Sequence, residues 1–545
     1  MNTSLTSDQT VHDHLVTHIH KLTQIGLALS AEKDIKRLLE MILTEARSLS
    51  GADAGTLYIL EKEENRLRFE ILQNDSMGAS VSDAAEAGIT LPDVPLHQNG
   101  KPNFANVSSY VALTGKIVNI SNVYEADGFD FTGPRKYDAA TGYRTVSMLV
   151  LPMQNHENEI IGVLQLLNAR NPETGRVESF SKDYVDIIAS LASQAAVSLT
   201  NTQLIQDLKN LLYAFVQSIG TAIDAKSPYT GGHIKRVVDL TMIIAEKINE
   251  SDQEPFRDIR FSEEEMEELR LAAWMHDVGK ITTPEHVVDK ATKLQTIFDR
   301  IELVETRFHL IAKLIENSFL QQKVARLQCG DIGKSAIDPL EKKVSDQITE
   351  LFAQLDFLKT LNKNGSPMSE DDIGRVEVLS ENSYELNGAK RPFLTDNEVK
   401  NLTIRQGTLN SDERQVIENH AVMTLKILNQ LPFPRGMAHM PEYAGSHHEK
   451  LDGTGYPLKL TRENLSIQSK ILALADIFEA LTARDRPYKR PLKLSHALSI
   501  LKSMKNSNHI DPDIFDFFTR NRLYVSYARK EMSPVQMDEP DINVD

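Results

Sequence analysis

The chain has 545 residues, too many for one hydrophobic core, and its 41% hydrophobic and 25% charged content is that of a soluble globular protein with two or three domains. A net charge of −17 argues against a nucleic-acid polymer as partner, because most of the surface would repel a phosphate backbone; a small anionic substrate stays open where cations or metals cluster. No apolar run approaches the ~20 residues of a membrane span, the first ten residues are polar, and the single cysteine, Cys329, leaves no internal disulfide framework, so the expected compartment is the cytoplasm, without a membrane span.

Residues 11–33 read as a short amphipathic helix within an N-terminal segment, 1–33. Its His12, His14, His18 and His20 lack an acid or cysteine to complete a tetrahedral set and read as a solvated face. Positions 38–49 have helical periodicity. Positions 54–60 then read as a strand, and 67–72 alternate after a polar turn, which predicts a β-hairpin. Further strands are expected at 117–120, 147–152 and 160–167, and a long helix from Lys182. Together these elements make one antiparallel sheet flanked by helices.

That order, with Leu72-Gln73-Asn74-Asp75-Ser76-Met77, Gly142-Tyr143-Arg144-Thr145-Val146-Ser147-Met148-Leu149 and Gly162-Val163-Leu164-Gln165-Leu166-Leu167-Asn168, resembles a GAF domain over 34–200. The resemblance implies either a small-molecule sensor or a structural dimerisation module. Of the cyclic-nucleotide signature the chain keeps Asn168 and Phe180, but has Ala169 for the Lys and Tyr184-Val185 where Asp-Glu would fall.

From Lys182 no Gly or Pro occurs before Gly220, and a helix this long needs a partner along its apolar seam. It reads as a linker helix, 182–220, paired in a homodimer. After the Gly- and Pro-bearing stretch 225–233 the chain is helical at 233–249, 262–276, 411–430, 467–483 and 495–504. Between them, 295–402 reads as a helical insertion: two charged helices near 296–327 and 339–361, then a polar, turn-rich stretch over 363–397. Residues 531–545 read as a disordered tail.

Chemistry concentrates in five segments of the second domain. His276-Asp277-Val278-Gly279-Lys280 ends an apolar helix, and an adjacent His and Asp can give a nitrogen and a bridging carboxylate to two neighbouring cations. His233 and His420 open or interrupt other helices. His447-His448-Glu449-Lys450-Leu451-Asp452-Gly453-Thr454-Gly455-Tyr456-Pro457 sets two imidazoles before a Gly-rich turn, and Asp476 ends an otherwise apolar run, where a buried carboxylate calls for a cation.

These motifs, with Arg486-Pro487-Tyr488-Lys489, resemble the HD-GYP branch of HD-domain phosphohydrolases over about 220–320 and 400–525. Carried over by position, the resemblance implies metal ligands at His233, His276, Asp277, His420, His447, His448 and Asp476. It implies catalytic roles at His276, Asp277 and Lys280, and substrate contacts at Lys280, Gly455, Tyr456, Pro457, Arg486 and Lys489. Tyr229 stands where three-metal members carry a Glu, so two divalent ions are expected, and histidines and carboxylates without thiolates suit iron or manganese. Arg484, two residues before Arg486, competes with it for the substrate role.

The expectation is thus a multidomain α+β protein. A GAF-like domain and a linker helix precede an all-α HD domain, 221–530, that hydrolyses cyclic di-GMP to pGpG or GMP under GAF control. The alternatives are another cyclic nucleotide such as cyclic GMP-AMP, or a non-catalytic dinucleotide-binding scaffold.

Overall fold

The computed structural model describes residues 20–81, 92–226, 232–329, 334–363, 367–484 and 491–538. They fall into two compact units, Met1–Leu211 and Leu212–Asp545. Expectations placed on His12, His14, His18, Tyr229, Arg486 and Lys489 lie outside the described residues.

In the first unit a helix over 20–31 precedes helix α1, Ile35–Ser50, which Asp34 caps by accepting from Arg37 N and Gly51 ends in the left-handed conformation. Strands β1 (Ala52–Glu61), β2 (Arg66–Asn74), β3 (Val118–Ile120), β4 (Met148–Gln154) and β5 (Ile160–Arg170) form an antiparallel sheet in the order β2-β1-β5-β4-β3. Short strands Ala79–Val81 and Val94–Pro95 add to β2, and Val177–Glu178 adds to β5. Both faces are covered. Leu149, Leu151 and Met153 pack with α1 and with the start of helix α2, Lys182–Lys226, while Met148 and Val150 point to the opposite core beneath a helix at Val107–Thr114. Double coverage explains why β4 and β5 read as near-continuous apolar runs.

Asn168, in the left-handed region at φ 57°, uses its whole side chain. Its Oδ1 accepts from Val146 N at 2.7 Å and Ser147 N at 3.2 Å, and its Nδ2 donates to Tyr143 Oη at 2.9 Å and Arg144 O at 2.8 Å.

The second unit is helical around one large core. α2 does not stop at Gly220 as expected but runs to Lys226, because Gly220 lies against Trp274, where a Cβ would come within 2.9 Å of the indole. After α3 (His233–Asn249) and α4 (Glu263–Met275), the insertion opens with α5 (Ile301–Gln328) and α6 (Lys334–Lys363), packed on each other over a core of its own. The stretch 363–397 is not a loop. It holds a helix at Glu370–Glu381 and a hairpin, Ser383–Leu386 with Ala389–Pro392, turned by Asn387 and Gly388, both at positive φ. α7 (Ser411–Leu428), α8 (Met440–Gly445) and α9 (Ile467–Thr482) then return to the main core. The expected tail is ordered through 538: Gln536 is buried and donates to Thr482 O and Leu492 O, and Asp538 accepts from Ser495. Residues 539–545 lie outside the described chain. Among the described residues no helix is long and apolar enough to cross a membrane.

Replacing Asn168 with Ala should leave the Val146 and Ser147 amides without an acceptor and cost about 2–4 kcal/mol. Calorimetry should show it as a lower transition for the first unit, and an unshifted melt would contradict this account of Asn168.

Candidate metal centre

Seven of the expected side chains come from five separate segments of the second unit. His233 is the first residue of α3, behind Gly232 in the left-handed conformation. His276 caps the C-terminus of α4, and Asp277 opens the short 3-10 turn Val278–Thr282. His420 sits within α7, His447 and His448 follow α8, and Asp476 lies within α9.

The structure gathers these residues into two groups around Asp277. Asp277 Oδ2 is 3.5 Å from His233 Nε2 and 3.4 Å from His276 Nε2, and Oδ1 is 3.4 Å from His420 Nε2. Asp476 Oδ1 joins the first group, 3.4 Å from His233 Nε2 and 3.9 Å from His276 Nε2. The donor atoms of His233, His276 and Asp277 lie within 4.8 Å of one another, as do those of His420, His447 and His448.

Local backbone decides which nitrogen faces inward. His276, His420 and His447 each donate Nδ1–H to the carbonyl three residues earlier, Ala273 O, Ile417 O and Ala444 O, at 2.7, 2.5 and 2.6 Å. A carbonyl oxygen can only accept, so Nδ1 carries a proton in either charge state of the ring and Nε2 is the atom turned toward the centre, free to present a lone pair when the ring is neutral. The Nε2 atoms of all three, and Asp277 Oδ1, are buried without a hydrogen-bond partner. Lone pairs facing a carboxylate at this range repel unless a cation or a proton lies between them, so the donor set fits divalent metal ions.

Charge divides the two groups. Burial works against a charged His233, but Glu479, Asp277 and Asp476 outweigh it and hold its pKa at about 10. Burial likewise opposes charge on His276, and Asp277 and Asp476 again prevail, raising it. Burial lowers His420, and burial together with His276 takes His447 down to about 3. His448 falls well below the usual imidazole value through burial and its neighbour His447. Asp277 is buried yet stays well below the ordinary carboxylate value because Lys280, His276 and His233 surround it.

Sequence reasoning missed Glu479, Thr424 and the close backbone approach at Gly279. Glu479, fully buried, receives His233 Nδ1 at 2.5 Å and Arg236 Nε at 2.7 Å; its only signal was an acid one helical turn after Asp476 in an apolar helix. Thr424 Oγ1 accepts from Gly279 N and donates to His276 O, both at 3.0 Å, tying the Asp277 turn to the His420 helix. A Cβ on Gly279 would fall 1.9 Å from His420 O, which is why glycine stands between Asp277 and Lys280. Glu449 is buried and orders the loop after it, accepting from the amides of Leu458, Lys459 and Leu460. That loop sets the Tyr456 ring 4.9 Å from the His448 ring, and a Cβ on Gly455 would strike the Glu449 backbone. Lys280 Nζ sits 2.5 Å from Asp277 Oδ2, and Arg484 is exposed.

The GAF domain profile matches residues 34–199, and two HD domain profiles match 230–351 and 396–514. The chain therefore carries a GAF domain followed by an HD domain. It is 36% identical over 117 residues to 3'3'-cGAMP-specific phosphodiesterase 1 of Vibrio cholerae, covering 22% of this chain and 26% of that protein. It is 31% identical over 151 residues to a probable cyclic di-GMP phosphodiesterase of Vibrio cholerae, covering 26% and 34%. A cyclic di-GMP phosphodiesterase of Thermotoga maritima is 27% identical over 219 residues, covering 37% and 57%. The matched stretches thus span from about a quarter to somewhat over half of those relatives.

The two groups should differ on binding a divalent ion. An ion in the His233 group must displace the proton that His233 carries at pH 7, and His276 shifts in the same direction, so affinity there should rise as pH climbs from 6.5 toward 10; His420, His447 and His448 are lowered and neutral, and affinity there should be flat above 6.5. Isothermal titration in two buffers of different ionisation enthalpy should find proton release at one of two sites. Equal release at both would contradict the charge assignment.

Proposed function

We propose that this chain is a metal-dependent phosphodiesterase that opens a cyclic dinucleotide, with cyclic di-GMP as substrate and pGpG or GMP as product. The observation that carries the reading is the Asp277 carboxylate, whose two oxygens face two separate histidine groups. A bridging carboxylate between two cation sites is the arrangement phosphodiester hydrolysis uses to hold both the attacking and the leaving oxygen. His233, His276, Asp277 and Asp476 would hold one divalent ion and Asp277, His420, His447 and His448 a second, and these would supply Lewis-acid activation of phosphate and water. Histidine and carboxylate donors without thiolates favour iron or manganese.

The protein's own residues do the rest. Fixed Nδ1 protons on His276, His420 and His447 keep their Nε2 atoms aimed at the centre without reorganisation. Lys280 is the cation nearest the bridging carboxylate and the one placed to meet a phosphate oxygen. Tyr456, beside His448 in the Gly455-Tyr456-Pro457 loop, offers an aromatic wall to ribose or base. Arg486 and Lys489 complete the substrate contacts in this reading and lie outside the described residues.

Cyclic GMP-AMP is the second substrate, because relatives named for it match this chain at 36% and 39% identity over short stretches. Regulation is assigned to the first unit, where a cavity of about 470 Å³, lined by Thr56, Tyr58, Val107, Phe131, Tyr137 and Gln165 among others, suits a small molecule. Dimerisation is assigned to α2, whose Leu204, Leu208, Leu211 and Phe215 are 57%, 67%, 67% and 56% exposed at alternating spacings of four and three. Asn201, seven residues before Leu208, adds the polar core position that favours parallel pairs. The reading places the enzyme in the cytoplasm.

Protein loaded anaerobically with iron or manganese should convert cyclic di-GMP, and more slowly cyclic GMP-AMP, to linear products resolved by chromatography. His276→Ala with Asp277→Ala should lose at least about 100-fold, since even an outer partner of a metal ligand costs 10–100-fold. No hydrolysis of either dinucleotide with stoichiometric metal would leave the binding-scaffold reading instead.

A further inference from the structure

The last turns of α2 touch each of the elements that carry His233, His276 and Asp277. Gly220 packs on Trp274, two residues before His276, so closely that a Cβ would lie 3.3 Å from the Trp274 carbonyl oxygen as well as against the indole. Asp224 is buried, and its Oδ2 accepts from Gly232 N at 3.1 Å and Ile234 N at 3.3 Å, the amides on either side of His233 at the start of α3. Lys226, the final residue of the helix, places Nζ at 3.1, 2.7 and 2.8 Å from the carbonyl oxygens of Lys280, Ile281 and Thr283. An ammonium has three protons, and these three carbonyls take all of them. They close the turn that begins at Asp277 and carries Lys280.

The other histidine group is mounted differently. His420 rides on α7, and His447 and His448 follow α8, with Thr424 and Gly279 as the seam where the two groups meet. One half of the centre is therefore braced by the end of α2, and the other by the domain's own helices.

We propose that Asp224 and Lys226 are positioning residues for the His233, His276 and Asp277 half of the centre, so that the end of α2 determines whether that half holds its ion. Small changes in that helix end act through leverage on backbone. Withdrawing Lys226 releases three carbonyls of the turn that aims Asp277 and Lys280, and shifting Asp224 releases the amides that hold His233 at its helix start. Because α2 begins at Lys182 in the first unit, the same contacts give a regulatory signal a physical point of entry. The proposal rests on the two-cation reading above and not on the identity of the substrate.

Manganese titration of the full chain tests it. Wild type should bind two ions, and His233→Ala should identify which of the two binding events belongs to this half. Lys226→Met, with similar reach and no donor, should weaken that event at least about tenfold, within the range found for outer partners of metal ligands. The other event should stay within about twofold, and Lys226→Arg should restore most of the loss. If Lys226→Met does not fold, Asp224→Ala, which removes the oxygen that accepts from both Gly232 N and Ile234 N, carries the same selective loss. Unchanged affinity for both ions, or equal loss of both, would overturn the proposal. Since the readout is ion affinity, absence of turnover in wild type would count against the phosphodiesterase reading alone.

Discussion

The second unit is organised around one electrostatic problem, the Asp277 carboxylate held in the interior with imidazole Nε2 atoms facing both of its oxygens. In an apolar interior such an arrangement is costly by several kcal/mol unless positive charge sits among the donors. The Nδ1 contacts to Ala273, Ile417 and Ala444 remove the easy way out, because they stop the rings from turning a proton toward the carboxylate. A cation on each side of Asp277 resolves both groups at once, and the phosphodiesterase reading follows from that pairing.

Holding the cluster requires backbone to come unusually close. Gly279 lets the Asp277 turn lie directly on the α7 backbone at His420, and Gly445 lets α8 seat against Leu425 of the same helix. Thr424 joins the two histidine groups with one hydroxyl used as both donor and acceptor. Glu479 shares its oxygens between His233 and Arg236, so a carboxylate buried beyond the donor set is neutralised by the residues it orients.

Much of this was legible in the sequence because the residues of this cluster are costly to bury without partners. His276-Asp277, His420, His447-His448 and Asp476 stand out against apolar helices, and the structure brings them together. The supports were harder to see. Glu479 and Thr424 look like ordinary helix residues until distant segments are brought together, and Lys226 falls in the Gly- and Pro-bearing stretch 225–233 with nothing to mark it. Element boundaries failed where tertiary contact overrode local preference. Gly220 looked like a helix stop, but Trp274 needed the space; the polar run at 531–538 looked disordered, but Gln536 finds two buried carbonyls. The hairpin at 383–392 was signalled by Asn387-Gly388, yet its strands are only four residues long and the second, Ala389–Pro392, is exposed throughout and shows no alternation.

The central claim is that Asp277 bridges two ions, and anomalous diffraction from manganese-loaded crystals measures it directly. The account predicts two anomalous peaks, one beside each Asp277 oxygen, the first within bonding distance of His233 and His276 and the second of His420 and His447. A single peak, or two peaks on the same side of the carboxylate, would contradict it.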